Sequence, residues 1–146
     1  MALVGRIGAD FPRLDCAQLF ALASDIESYP QFIPWCRSAR IVDRQPGLWQ
    51  VENHFGAGPV DVSFHTQARP VPPDELEITS EDGPFRSFRL VWRFTDLPGG
   101  GGRVRAEYRI SLKSPLLQGL AAFSMPEVER RVMRNFKDRA ASVYGV

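Results

Sequence analysis

"YPQFIPWCRSARIV", residues 29–42, marks where the chain changes its period. Ahead of it, "RLDCAQLFALASDIESY" (13–29) places Leu19, Leu22, Ala23 and Ile26 at helical spacing, with Pro12 just before the start. Beyond it, from Ala39 onward, apolar residues recur at every second position. Between the two patterns stand Tyr29, Phe32, Ile33, Trp35 and Cys36, broken by Pro30 and Pro34. A surface connection is normally polar, because its backbone must be solvated. One this apolar implies an apolar surface facing it. The prolines end the preceding helix and restrict the backbone, setting Phe32, Ile33 and Trp35 on a stiff elbow between helix and strand. Two readings stay open: the rim of a pocket, where a large amphipathic ring suits a boundary between wet and apolar, or a plug in one end of the core.

Working outward, the alternation defines the strands. "GLWQVENHF" puts Trp49, Val51, Asn53 and Phe55 on one face, and "PVDVSFHTQAR" does the same for Val60, Val62, Phe64, Thr66 and Ala68. "ELEITS" turns Leu76 and Ile78 inward, and "SFRLVWRF" turns Phe88, Leu90, Trp92 and Phe94 inward. In "RVRAEYRISLK" Val104, Ala106, Tyr108, Ile110 and Leu112 oppose Arg103, Arg105, Glu107, Arg109, Ser111 and Lys113. Consecutive alternating strands with short Gly/Pro turns predict an antiparallel sheet with one wet and one covered face. Residues 3–11, "LVGRIGADF", supply a short first strand.

The cover follows in "SPLLQGLAAFSMPEVERRVMRNFKDRAASVYG", with Ser114 as cap, Pro115 at the first helical position and Gly145 as the stop. Val128, Val132, Phe136, Ala140 and Val143 make an apolar stripe; Glu127, Arg130, Arg134, Lys137 and Asp138 face water. Pro126 predicts a kink or interruption, and Ser124 with Glu127 fits a capping box there, so two helical segments meeting near Met125 are an option. The fold class is therefore α+β: a curved antiparallel sheet gripping a long C-terminal helix, with a small helical insertion after the first strand.

The totals fit one domain spanning residues 1–146, of ordinary globular composition: 44% hydrophobic, 24% charged. A net charge of +1 provides no bulk field for DNA or an anionic membrane. Of eighteen basic residues only Lys113 and Lys137 are lysines. Cys16 and Cys36 do not make a disulfide framework, and "MALVGRIGADF" lacks the basic and apolar regions of a signal peptide. No apolar run approaches the roughly 20 residues of a membrane span. These features point to a cytoplasmic protein with reduced thiols.

"YPQFIPWCRSARIV", with "EDGPFRSFRLVWRF" (81–94) and "SPLLQGL" (114–120), resembles the coenzyme Q-binding branch of the START-like, polyketide cyclase-like helix-grip superfamily, a branch that also includes ribosome-association toxins. The likeness runs in order along nearly the whole chain. It implies a carrier of ubiquinone, another polyprenyl quinone or a similar lipid, serving respiration or quinone biosynthesis, with peripheral membrane contact at the inner surface. The quinone would be a bound ligand, and no cofactor is implied.

On that reading the guest enters between the Phe32–Pro34–Trp35 elbow and an apolar segment carrying Leu117, Leu120 and Phe123. Its tail packs on Val51, Phe55, Phe64, Phe88 and Trp92, and Tyr108 or Asn53 donates to the head group. A mostly apolar pocket usually carries a few such orienting polar groups, although each would equally serve an ordinary core. The charge-free stretch from Ser114 to Pro126 is too apolar for a fully solvated helix, so it is either core or a mobile lid.

Catalytic and metal sites find no support. Cys36 would need a positioned base, and both His54 and His65 count to the wet face. The two histidines fall short of any metal-ligand pattern. "GGGG" sits in a hairpin and opens no helix, so it is not a phosphate loop. No carboxylate pair shares the apolar face, which argues against general acid–base chemistry. Arg89, Arg93, Arg103, Arg105 and Arg109 project from the outer face of two adjacent strands, either as a landing patch for RNA or anionic lipid or as a ladder with Glu77 and Glu107. The leading function is binding without turnover. The alternatives are a ribosome-associating toxin or regulator, which rests on the arginine face, and a cyclase-type enzyme.

Overall fold

The computed structural model describes residues 2–146. Seven strands form one antiparallel sheet: β1 (Leu3–Phe11), β2 (Cys36–Gln45), β3 (Leu48–Ala57), β4 (Val60–Val71), β5 (Glu75–Ser80), β6 (Phe85–Asp96) and β7 (Gly102–Leu112). Their spatial order is β1-β7-β6-β5-β4-β3-β2, so the insertion after β1 carries the chain from one edge to the other. That insertion holds α1 (Cys16–Ser24) and a 3-10 helix (Ile26–Gln31). The long α2 (Pro115–Tyr144) packs on β1, β7 and α1. This is the helix-grip arrangement the alternation predicts.

The period-two faces hold along most of the sheet, with two lapses: Val60, expected inward, is exposed at the start of β4, and Val91, expected on the wet face between Arg89 and Arg93, is buried. Val51, Asn53, Phe64, Thr66, Ala68, Leu76, Ile78, Trp92, Phe94, Val104 and Ala106 are all buried. Helix α1 begins on Asp15, whose side chain caps Gln18 N while the Gln18 side chain accepts from the Asp15 amide. The helical reading of 13–29 thus resolves into two pieces. Strand β2 starts at Cys36, three residues earlier than the alternation suggests.

Helix α2 departs from expectation at Pro126. It runs as one helix through the proline, with Ser114 as N-cap and Gly145 in the left-handed conformation as C-cap. Pro126 cannot bond the Ala122 carbonyl, but Ala122 is exposed, so water can satisfy that carbonyl and no break is needed. Glu127 pairs with Arg130 one turn on and takes no capping role. The buried stripe is Met133, Phe136 and Ala140, while Val143 turns to solvent and the partly buried Tyr144 donates to the Gln18 carbonyl at 3.1 Å.

The interior divides along the length of these elements. At one end Leu14, Leu19, Phe94, Val104 and Phe136 are essentially inaccessible. Phe136 meets Phe11 and Phe32 edge-on at 5.7 and 5.9 Å and stacks on Trp92 at 5.4 Å. Trp92 is the border. Beyond it, between the sheet and the first half of α2, the interior opens.

Candidate functional site

The opening is a cavity of about 340 Å³. Strand β6 supplies Phe85, Phe88, Leu90 and Trp92, and β7 supplies Ala106, Tyr108 and Ile110. Strands β3 and β4 add Asn53, Phe55, Phe64 and Thr66, and α2 closes the roof with Met125, Val128, Glu129 and Val132. The elbow contributes Ile33, Pro34 and Trp35. Phe64 stacks edge-on against Phe85 at 4.9 Å, so the floor is largely aromatic.

Trp35 stands at the mouth with 42% of its surface exposed. Its φ is +63°, the single positive value outside glycine among the described residues. Cys36 N donates to Ile33 O at 3.3 Å across it. Pro34 at the second place and a left-handed residue at the third describe a type II turn, in which glycine normally takes Trp35's place. A left-handed L-residue costs roughly 1–2 kcal/mol. The Arg131 guanidinium lies over the indole at 5.7 Å from the ring centre, tying the turn to α2.

Besides the Trp92 Nε1–H, buried in the wall with no hydrogen-bond partner among the described residues, two polar groups interrupt the apolar wall. The Asn53 amide donates to the carbonyls of Val51 and Phe64 and, at 3.0 Å, to Thr66 Oγ1. Those two carbonyls fix which end of the carboxamide is nitrogen. The second is Tyr108, whose hydroxyl donates to Glu129 Oε2 at 2.5 Å. Burial pushes the Tyr108 phenol well above its ordinary range, and the bond to Glu129 raises it further. A side chain at Gly5, which Tyr108 faces across β1 and β7, would collide with that hydroxyl. Glycine there is what lets the phenol lie flat and reach α2.

Of the thirteen residues singled out in the sequence, Pro34, Trp35, Asn53, Phe55, Phe64, Phe88, Trp92 and Tyr108 line this cavity. Phe32 and Val51 lie in the packed core, Phe32 edge-on to Tyr29 at 5.2 Å. Leu117, Leu120 and Phe123 are outside the wall on the open side of α2, with Phe123 88% exposed. Tyr108, expected to offer a proton to a guest, has it engaged by Glu129.

Glu129 is the residue that sequence reasoning missed. It follows Met125 by four positions and precedes Val132 by three and Phe136 by seven, so it shares their helical face. A carboxylate set into an apolar stripe was the available signal.

Cysteine and histidine play no part in the cavity wall. The Cys36 thiol donates to the Ser38 carbonyl at 3.7 Å, and burial pushes it up to about 11. His54 pairs with Asp61 and His65 with Asp82, the latter at 3.1 Å, both on the surface. Among the described residues, no three His, Cys, Asp or Glu side chains gather as a metal centre requires. On the outer face Arg89 pairs with Glu77, Arg103 with Asp10, and Arg93 with both Glu75 and Glu107. Arg105 and Arg109 have no such partner among the described residues, although they face Arg93 and Arg89 directly across the ladder.

An apolar chamber under a gripping helix places the protein in the helix-grip fold class. Residues 14–137 match the family described as polyketide cyclase / dehydrase and lipid transport, and the chain belongs to it. It is 26% identical over 127 residues to the ribosome association toxin RatA of Pseudomonas aeruginosa, covering 87% of this chain and 88% of that one. It is 27% identical over 134 residues to the mitochondrial coenzyme Q-binding protein COQ10 homolog B of Xenopus laevis. That match covers 88% of this chain but 54% of the relative, about half its length. Its fold matches the crystal structure of the Zhui aromatase/cyclase from Streptomyces with a TM-score of 0.77, at 10% identity and with both chains fully covered.

Proposed function

We propose that this protein holds a polyprenyl quinone, or a lipid of similar shape, in the cavity beneath α2 and carries it without chemical turnover. The observation that supports this most is the lining: aromatic and aliphatic on nearly every side, with two polar stations and the unpartnered Trp92 N–H. Apolar chambers of about 300–1,000 Å³ are the usual size of small-molecule sites. The relative named as coenzyme Q-binding makes a quinone the first candidate.

The volume limits how the guest sits. A dry cavity of about 150 Å³ accommodates a benzene-sized molecule. About 340 Å³ therefore takes a substituted ring and the first part of a prenyl tail. The rest must leave past Trp35, and the exposed Leu116, Leu117, Leu120 and Phe123 offer an apolar track or a foot on a membrane surface. Among the described residues no helix is long and apolar enough to cross a membrane. The proposal is thus a cytoplasmic carrier with peripheral contact at the inner membrane, serving respiration or quinone biosynthesis.

Titration with decylubiquinone tests this reading. Trp92 in the wall and Trp35 at the mouth should be quenched saturably, and the melting temperature should rise with ligand. No quenching and no thermal shift would reject the carrier.

One further reading has an observation behind it. Arg6, Arg89 and Arg109 line an outer depression of about 370 Å³ in which Arg89 is paired with Glu77 and Glu107 with Arg93, while Arg6 and Arg109 have no ion pair among the described residues; relatives carry the name ribosome association toxin. Binding to ribosomal subunits that weakens steeply with salt, and is lost in Arg109→Glu, would favour it.

A further inference from the structure

The Tyr108–Glu129 pair bears on which guest the cavity selects. The carboxylate has one oxygen on the Tyr108 hydroxyl; its other oxygen, Oε1, has no donor among the described residues. No ion pair of Glu129 is present among them either. That oxygen keeps contact with solvent; the buried side-chain polar atom without a partner among the described residues is Trp92 Nε1, a donor that the oxygen of either redox form of a ring can accept, so discrimination falls to the carboxylate. The Tyr108 proton is already spent on Glu129, so this station presents lone pairs and no free donor. A quinone ring carries carbonyl oxygens and brings only further lone pairs. Its two-electron-reduced form carries hydroxyls, and a hydroxyl–carboxylate bond is short and strong.

We infer that Tyr108 and Glu129 anchor the head group of the guest, and that they select a ring bearing a free hydroxyl: the hydroquinone in preference to the quinone. The inference rests on the carrier reading and specifies its cargo. Gly5 holds the station in place, since any side chain there would drive Tyr108 away from α2. Asn53 and Thr66 belong to a separate polar spot on β3 and β4. Because binding involves no transfer of electrons, the redox state of the guest is set elsewhere.

The test is anaerobic equilibrium dialysis of wild-type protein and Glu129→Gln against decylubiquinone and, separately, its hydroquinone. Wild type should hold the hydroquinone roughly tenfold or more tighter, the scale of discrimination that a hydroxyl-binding carboxylate provides. Glu129→Gln replaces the bare oxygen with an amide that donates to a carbonyl, so the ratio should fall to near one or invert. Equal affinity for both forms in wild type, or a ratio unmoved by Glu129→Gln, overturns the inference and leaves the carrier standing. Failure of both forms to bind overturns the carrier as well. Should Glu129→Gln not fold, Glu129→Ala replaces it, with loss of the preference as the expected result. The wild-type ratio decides alone if neither variant folds.

Discussion

Replacing Trp35 separates backbone strain from ligand contact, because the two effects run in opposite directions. In Trp35→Ala the left-handed strain stays, since alanine carries the same penalty of roughly 1–2 kcal/mol at positive φ. In Trp35→Gly the strain disappears, and the unfolded chain gains flexibility worth about 0.5–1 kcal/mol. The net prediction is that the glycine variant is the more stable of the two by about 0.5–1 kcal/mol, the reverse of the order expected at an ordinary position. For a chain of this length that corresponds to about 1–4 °C in melting temperature. Both variants lose the same aromatic contact with the guest, about 1–3 kcal/mol, or roughly 5- to 150-fold in affinity. Urea unfolding and decylubiquinone titration of the pair measure the two quantities independently. An alanine variant as stable as the glycine variant would refute the left-handed turn, and unchanged affinity in both would refute the placing of Trp35 at the mouth.

Other outcomes follow from single residues. Phe136→Asp buries an unpaired charge where Phe11, Phe32 and Trp92 converge, and circular dichroism should show an unfolded chain. Gly5→Ala should cost about 1–3 kcal/mol by overpacking against Tyr108. Gly119→Ala, with open space around it in α2, should instead gain about 0.5–1 kcal/mol, and denaturant melts read both. The Cys36 thiol, raised from an ordinary value of 9.0 to about 11, should resist iodoacetamide at pH 8 until the protein unfolds. Because the unfolded thiol ionises first, its contribution to stability is full below about pH 9 and is lost as pH rises through about 11. Amides of residues 115–126, on the open part of α2, should exchange faster than those around Phe136, and lipid vesicles should slow them.

The fold was legible because a half-buried sheet writes its geometry into alternate residues, and the strands from Trp49 to Leu112 keep that alternation with few lapses. The elbow was legible as apolar. Its turn type was not, since tryptophan is the wrong residue for the left-handed place and only the backbone reveals it. Pro126 misled for a related reason: a proline breaks a helix when the freed carbonyl is buried, and exposure near Ala122 depends on tertiary packing. Eight of the thirteen named residues reach the cavity because they lie on the sheet face or at the elbow. The α2 contribution was misplaced by one face of the helix, toward Leu117, Leu120 and Phe123 and away from Met125, Val128 and Glu129. Residues 115–126 carry no charge, and Gln118, whose side chain bonds back to Leu112 N and the Ile110 carbonyl, does not declare its partner in the sequence, so apolarity alone could not say which way that half turned. Register across the glycine hairpin also waited for the structure, which pairs Arg93 with Glu107 at 3.1 Å and leaves Arg105 and Arg109 without an ion pair among the described residues.

The carrier account is tested most directly by what the protein holds when it is isolated. Gently purified wild-type protein, extracted with organic solvent and analysed by mass spectrometry beside a Phe88→Asp variant that places a charge in the cavity floor, should yield a prenylated quinone or hydroquinone at a substantial fraction of one per chain. The variant should yield none. A wild-type extract with no quinone or lipid above the variant's background would contradict the account.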